Sequence, residues 1–209
     1  MKKILYTLLA IAFLIPGYAE AKTALEKARE KAYKTKLKDY KKGGWEALGS
    51  KPLDLCLLEH YDKLNSLGAN GHEVEGISTR SKSKNLGKQA AINNAVITYG
   101  QEAGSTLQGR VVSDMSGNGV DTSGEFENFF AAYERLVEKE IRGEMEPSFS
   151  IIHDNGDGTY EVRTYFIVEE SNAQKARMRA LEEAMKNSEI AAEHAEKISA
   201  FVRQGLDED

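Results

Sequence analysis

A chain of 209 residues, 41% hydrophobic and 29% charged, has the make-up of one globular domain with an appendage, and wholesale disorder is excluded. A net charge of −5 argues against nucleic acid as a partner. The single cysteine, Cys56, cannot form an internal disulfide, so the core alone must hold the fold.

In chain order, residues 1–21 come first. Lys2 and Lys3 precede an apolar run from Ile4 to Ile15, the breaker pair Pro16-Gly17, and Ala19-Glu20-Ala21. This is the form of a cleaved secretory signal, and the run is well short of the roughly 20 apolar residues that span a bilayer. A periplasmic or secreted location follows as the expectation. Lys22 occupies the position where a lipid-anchored protein needs cysteine, so no lipid anchor is expected.

Residues 22–44 read as a basic helical lead-in. Nine Lys or Arg stand against Glu26, Glu30 and Asp39, a net of +6, whereas the rest of the mature chain carries 17 basic and 29 acidic residues, a net of −12. The apolar stripe (Leu25, Ala28, Ala32, Leu37, Tyr40) is thin. A solvated, frayed helix is the expectation; weak contact with an anionic surface and docking on its own domain are the alternatives.

Residues 45–170 carry the folded domain. Trp45 is expected to pin the linker to the core. Ser50-Lys51-Pro52 is placed to open a helix, with Ser50 as its cap, Pro52 in its first turn and Gly68 at its C-terminal cap, and with Leu57, Leu58, Tyr61 and Leu64 inward and Cys56 as a small filler. Glu73 to Ser81 reads as a strand, with Gly76 marking a bulge or a close backbone approach. Ser83 opens a long helix striped by Ile92, Val96, Tyr99, Ala103 and Leu107, where Gly100, Gly104 and Gly109 invite a kink or an early end. Thr122 to Glu125 has the form of a capping box before the strongest stripe of the chain, Phe126, Phe129, Phe130, Tyr133, Val137 and Ile141. Phe149 and Ile151, the turn Asp154 to Gly158, and then Tyr160, Val162, Phe166 and Val168 predict a β-hairpin. Residues 171–209 read as one long C-terminal helix with an acidic tail, its weak seam packing on its own domain, with dimerisation as the alternative.

The order of these elements, with Val74-Glu75-Gly76-Ile77-Ser78 leading into Lys88 to Ala95, and Tyr160-Glu161-Val162-Arg163 in the hairpin, resembles the LPP20-like envelope proteins over Glu73 to Glu169. The resemblance implies an α+β envelope domain without a defined activity. The expected architecture is therefore α+β: an antiparallel sheet of about three strands, helices on one face, a helical N-terminal region and a long C-terminal helix.

Chemical signatures are sparse. Asp114, Ser116, Asn118 and Glu125 have calcium-loop spacing, with Gly119 at the sixth position, but Asp121 stands where an apolar residue is usual. His60, His72, His153 and His194 lie scattered without zinc spacing and read as surface or rim residues. No GxSxG and no phosphate loop occurs. The reading is a non-catalytic binding or scaffolding module needing no cofactor or metal, with an envelope protein or polymer as partner. Arg163, Tyr165 and Ile167, on the sheet face opposite the expected core, form the proposed interaction surface. A calcium-binding module, or a hydrolase with a serine or acid pair beside one histidine in a pocket, remains the alternative.

Overall fold

The computed structural model describes residues 23–116 and 124–206. Helix α1 (Ala24–Lys42) starts at a capping box in which the Thr23 hydroxyl accepts from the Glu26 amide at 3.1 Å and the Glu26 carboxylate accepts from the Thr23 amide at 2.7 Å. Strand β1 (Glu46–Ala47) and helix α2 (Leu53–Leu67) follow. Pro52, not Ser50, occupies the cap position of α2, and Gly68, at φ 57°, closes it. Strand β2 (Gly71–Ser81), helix α3 (Lys84–Ser116) and helix α4 (Glu125–Ile141) lead into the hairpin of β3 (Met145–Asp154) and β4 (Tyr160–Glu169). Helices α5 (Glu170–Met185), α6 (Glu189–Glu193) and α7 (Ala195–Arg203) complete the chain.

The sheet is antiparallel throughout, in the order β1-β3-β4-β2, with four strands rather than about three. The turn forms as its residues dictate: Gly156 and Gly158 take φ of 77° and 81°, and the Asp154 and Asp157 carboxylates accept from the amides of Gly156 and Thr159. The α+β class holds, but helices cover both faces of the sheet. On one face, Val74, Phe166 and Val168 meet α3, α4 and α5 in the main core. All six residues of the α4 stripe are buried there, each contributing on the order of 2 kcal/mol of apolar burial. On the other face, Tyr40 of α1 and Leu57, Tyr61 and Leu64 of α2 close over Ile151, Tyr165 and Ile167.

Close approach sets the spacing of the layers. A Cβ on Gly76 would lie 1.9 Å from the carbonyl oxygen of Ala91, so β2 and α3 touch backbone to backbone. The irregularity in β2 falls elsewhere, between Ser78 and Ser81. Helix α3 runs without interruption through Gly100 and Gly104, because the lack of side chains there admits Glu138 and Glu134 of α4.

Several expectations are corrected by long-range partners. Helix α1 is docked rather than frayed: Arg29 donates to the carbonyls of Leu64, Gly68 and Gly71 at 2.6 to 3.0 Å, tying it to the end of α2. Leu58 points outward, 44% exposed, and His60 takes the inward place. The single C-terminal helix is three. Ser188 caps α6 by accepting from the Ala191 amide, and Glu125 accepts from the Ser188 hydroxyl and the Ile190 amide. Arg110 of α3 donates to the carbonyls of Phe201 and Gly205, fixing the end of α7. Thr122 and residues 1–21 lie outside the described residues. Among those described, no helix is long and apolar enough to cross a membrane.

Candidate functional site

The expected interaction surface is brought together on one face of β4, but it is covered. Tyr165 is 0% and Ile167 4% exposed, beneath α1 and α2. The cause is legible in the register: Glu73, Glu75 and Ile77 of β2 pair with Ile167, Tyr165 and Arg163, so two carboxylates face the same way as Tyr165. Burying them requires partners, and α1 and α2 provide them. Only Arg163 remains partly open, its side chain 30% exposed.

Two hydrogen-bonded chains run under these helices. In the first, the Tyr165 hydroxyl donates to Glu75 at 2.6 Å, and Tyr40, 2.5 Å from the Tyr165 oxygen, must therefore donate to it. Burial, then the bonds to Glu75 and Tyr40, push the Tyr165 phenol far above its ordinary value, so it stays protonated. Arg163 joins through Glu75 at 3.4 Å and Glu161 at 2.8 Å, with its guanidinium 4.8 Å from the centre of the Trp45 ring. Trp45 thus pins the linker as expected, also stacking near Tyr40 and His153.

The second chain is Lys36, Glu73, His60 and Ser148. Lys36 Nζ lies 2.5 Å from one Glu73 oxygen, His60 Nε2 lies 2.7 Å from the other, and His60 Nδ1 lies 2.9 Å from Ser148 Oγ. The His60 side chain is fully buried, a correction to its expected place at the surface, whereas Ser148 is exposed. Burial alone would raise the Glu73 carboxyl, but the His60 bond and the Lys36 ammonium outweigh it and hold the group below its ordinary value. A carboxylate only accepts, so Nε2 carries a ring proton, and in the neutral ring Nδ1 is the acceptor of the Ser148 hydroxyl proton.

Beside this chain, a cleft of about 480 Å³ opens along β3. Its floor is apolar (Ile92, Met145, Phe149, Phe166), and Lys51, Lys88 and Arg142 lie on its walls. Lys51 is paired with Glu59, and Arg142 donates to Asn93 at 3.3 Å. Ser148 and the free thiol of Cys56 also line it. The cleft exists because β1 pairs only with Ile151 and Ile152, leaving the rest of β3 as an edge. Pro147 and a register shift between Pro147 and Phe149 make that edge a poor template for another strand.

The calcium spacing lies partly outside the described residues, which exclude Asn118 and the Ser116 side chain. Asp114 is ion-paired with Lys197, and Glu125 is held by Ser188 and Ile190. Among the described residues, no three His, Cys, Asp or Glu side chains converge to hold a metal ion.

Fold and site together define an α+β domain whose sheet is buried on both faces, with one edge opening into a cleft. No family model matches the chain, and neither the curated proteins nor the solved structures contain a match.

Proposed function

We propose that the chain is an exported envelope protein of LPP20-like type, released into the periplasm or secreted after cleavage of residues 1–21, and that it works as a binding module through the β3 cleft. The supporting observation is the cleft itself: an apolar floor of Ile92, Met145 and Phe166 beside the cations Lys88 and Arg142, in a volume suited to a small ligand. Apolar burial and charge complementarity together select an amphipathic anion, a carboxylate or phosphate head on a short hydrocarbon chain. The covered face of Tyr165 and Ile167 offers no comparable surface, which moves the proposed contact from that face to this edge.

Calorimetric titration of the purified protein with decanoate and decanol tests the reading. Decanoate should bind more tightly than decanol, and Lys88→Glu or Arg142→Glu should weaken it about 10- to 100-fold, the range for one charge-assisted contact. Equal binding of the two ligands, or binding of neither, would refute it.

A further inference from the structure

Ser148 differs from the other hydroxyls of the sheet in three respects. It is the extra residue of the β3 bulge, since Pro147 pairs with Phe166 and Phe149 with the adjacent Tyr165, and a bulge re-aims a side chain out of the ladder. It is exposed and lines both the 480 Å³ cleft and a neighbouring hollow of about 370 Å³. Its Oγ, alone among them, lies 2.9 Å from a buried histidine whose second nitrogen is bonded, at 2.7 Å, to a carboxylate. An accessible hydroxyl, a base within hydrogen-bond reach, and a third group orienting that base constitute the activated-nucleophile arrangement, which is recognised by geometry rather than by sequence order.

We propose that Ser148 is the nucleophile of an acyl-transfer site, with His60 as its general base and Glu73 as the residue that positions His60, acting on carboxylic esters whose acyl chain lies on the floor of the cleft. As Ser148 Oγ bonds to the ester carbonyl carbon, its proton passes to His60 Nδ1 and the carbonyl π pair moves to oxygen. Collapse of the tetrahedral species breaks the bond to the leaving alcohol, which takes the proton back from His60. Water then repeats the sequence on the acyl-serine, releasing the acid and restoring the hydroxyl. The balance is ester plus water to acid plus alcohol, with no change of oxidation state. Lys51 lines both concavities with Ser148, its ammonium paired with Glu59. Glu73 keeps its charge because Lys36 balances it, so the imidazolium formed during attack is stabilised by a neighbouring carboxylate. The ring is used in the sense opposite to the commonest triads, with Nδ1 rather than Nε2 toward the nucleophile. The leaving alcohol must therefore collect its proton on the crowded side of the ring, which favours small leaving groups or those that depart without a proton.

The inference goes beyond the binding reading, since it uses the cleft floor but neither Lys88 nor Arg142. The test uses the purified full chain, a fluorophosphonate label located by peptide mass spectrometry, and p-nitrophenyl butyrate and octanoate, whose leaving group departs as an anion. One label per chain on Ser148 is expected, with ester cleavage reduced at least 100-fold in Ser148→Ala and at least 10-fold in Glu73→Gln. Ser148 is exposed but bonded to the buried His60, so thermal melts of Ser148→Ala and Glu73→Gln separate lost chemistry from lost structure. Absence of labelling, labelling elsewhere, or unchanged cleavage by Ser148→Ala would overturn the proposal. Decanoate binding without labelling sinks this inference and spares the binding reading; labelling without decanoate binding does the reverse.

Discussion

Gly76→Ala is the sharpest test of how the layers are spaced. The added methyl would sit 1.9 Å from Ala91 O, 2.6 Å from Ala95 N and 2.8 Å from Ala95 Cβ, where ordinary contact begins at 3.4 Å. Two of the three obstacles are main-chain atoms of α3 and cannot swing aside, so β2 and α3 must part by roughly 1.5 Å. A gap of only 0.5–1 Å already forfeits about a quarter to a half of the dispersion energy across it, so the Val74, Ala91 and Ala95 contacts largely fail. The loss should reach about 3 kcal/mol or more, at the upper end of overpacking. At about 2–4 °C per kcal/mol for a domain of this size, the melting temperature should fall by about 6–12 °C. Gly109→Ala is the control: it lies in α3, the helix that Gly76 packs against, with nothing within 4 Å of the new methyl, and should gain up to about 1 kcal/mol. Thermal unfolding followed by circular dichroism reads both variants. If Gly76→Ala melts within a degree or two of the parent, the β2–α3 contact is not as described.

Other expected outcomes follow from the covered face. Ile167→Asp, a buried carboxylate in place of a 4% exposed hydrophobe, should cost at least about 3 kcal/mol, read as a lower urea midpoint; an unchanged midpoint would restore the face as an open surface. Arg29→Ala, removing three bonds to the end of α2, should cost about 1–3 kcal/mol and expose α1 to limited proteolysis before the rest of the chain. Glu73 is held below its ordinary value of 4.5, so its contribution is complete above that pH and is lost as the pH falls through the lower folded value. Glu73→Gln should therefore flatten the fall in urea midpoint between pH 6 and pH 3, and an equally steep fall in the variant would show that Glu73 carries none of it.

The hairpin, the α4 stripe and the close approach at Gly76 were legible because each is a local pattern: period two, period three to four, or one residue without a Cβ. The covered face was not, although a signal for it exists. Tyr165-Phe166-Ile167-Val168 is apolar in both phases, the pattern of a strand buried on both sides, and reading only one phase left Tyr165 and Ile167 on the outside. His60 likewise lies three residues after Leu57 and four before Leu64, on the inward stripe of α2, whereas its pairing with Ser148 joins residues 88 apart and no spacing rule anticipates it. Helix α1 looked detached because its stripe is thin; it is held by Arg29, Lys36 and Tyr40, whose partners come from α2, β2 and β4.

The two faces combine packing and polar bonds in different proportions. The α3–α5 side is sealed mainly by aliphatic and aromatic packing, which tolerates exchange among residues of similar volume, around one buried ionised group, Arg177, bonded to Tyr99 and Glu170. The α1–α2 side adds to its apolar cluster hydrogen bonds that join the partly exposed charges of Lys36, Glu73 and Glu75 to the buried His60 and Tyr165. Lys36, Glu73 and His60 hold one another in a single arrangement, in which His60 is the fully buried member and Ser148, on the bulged edge, is exposed.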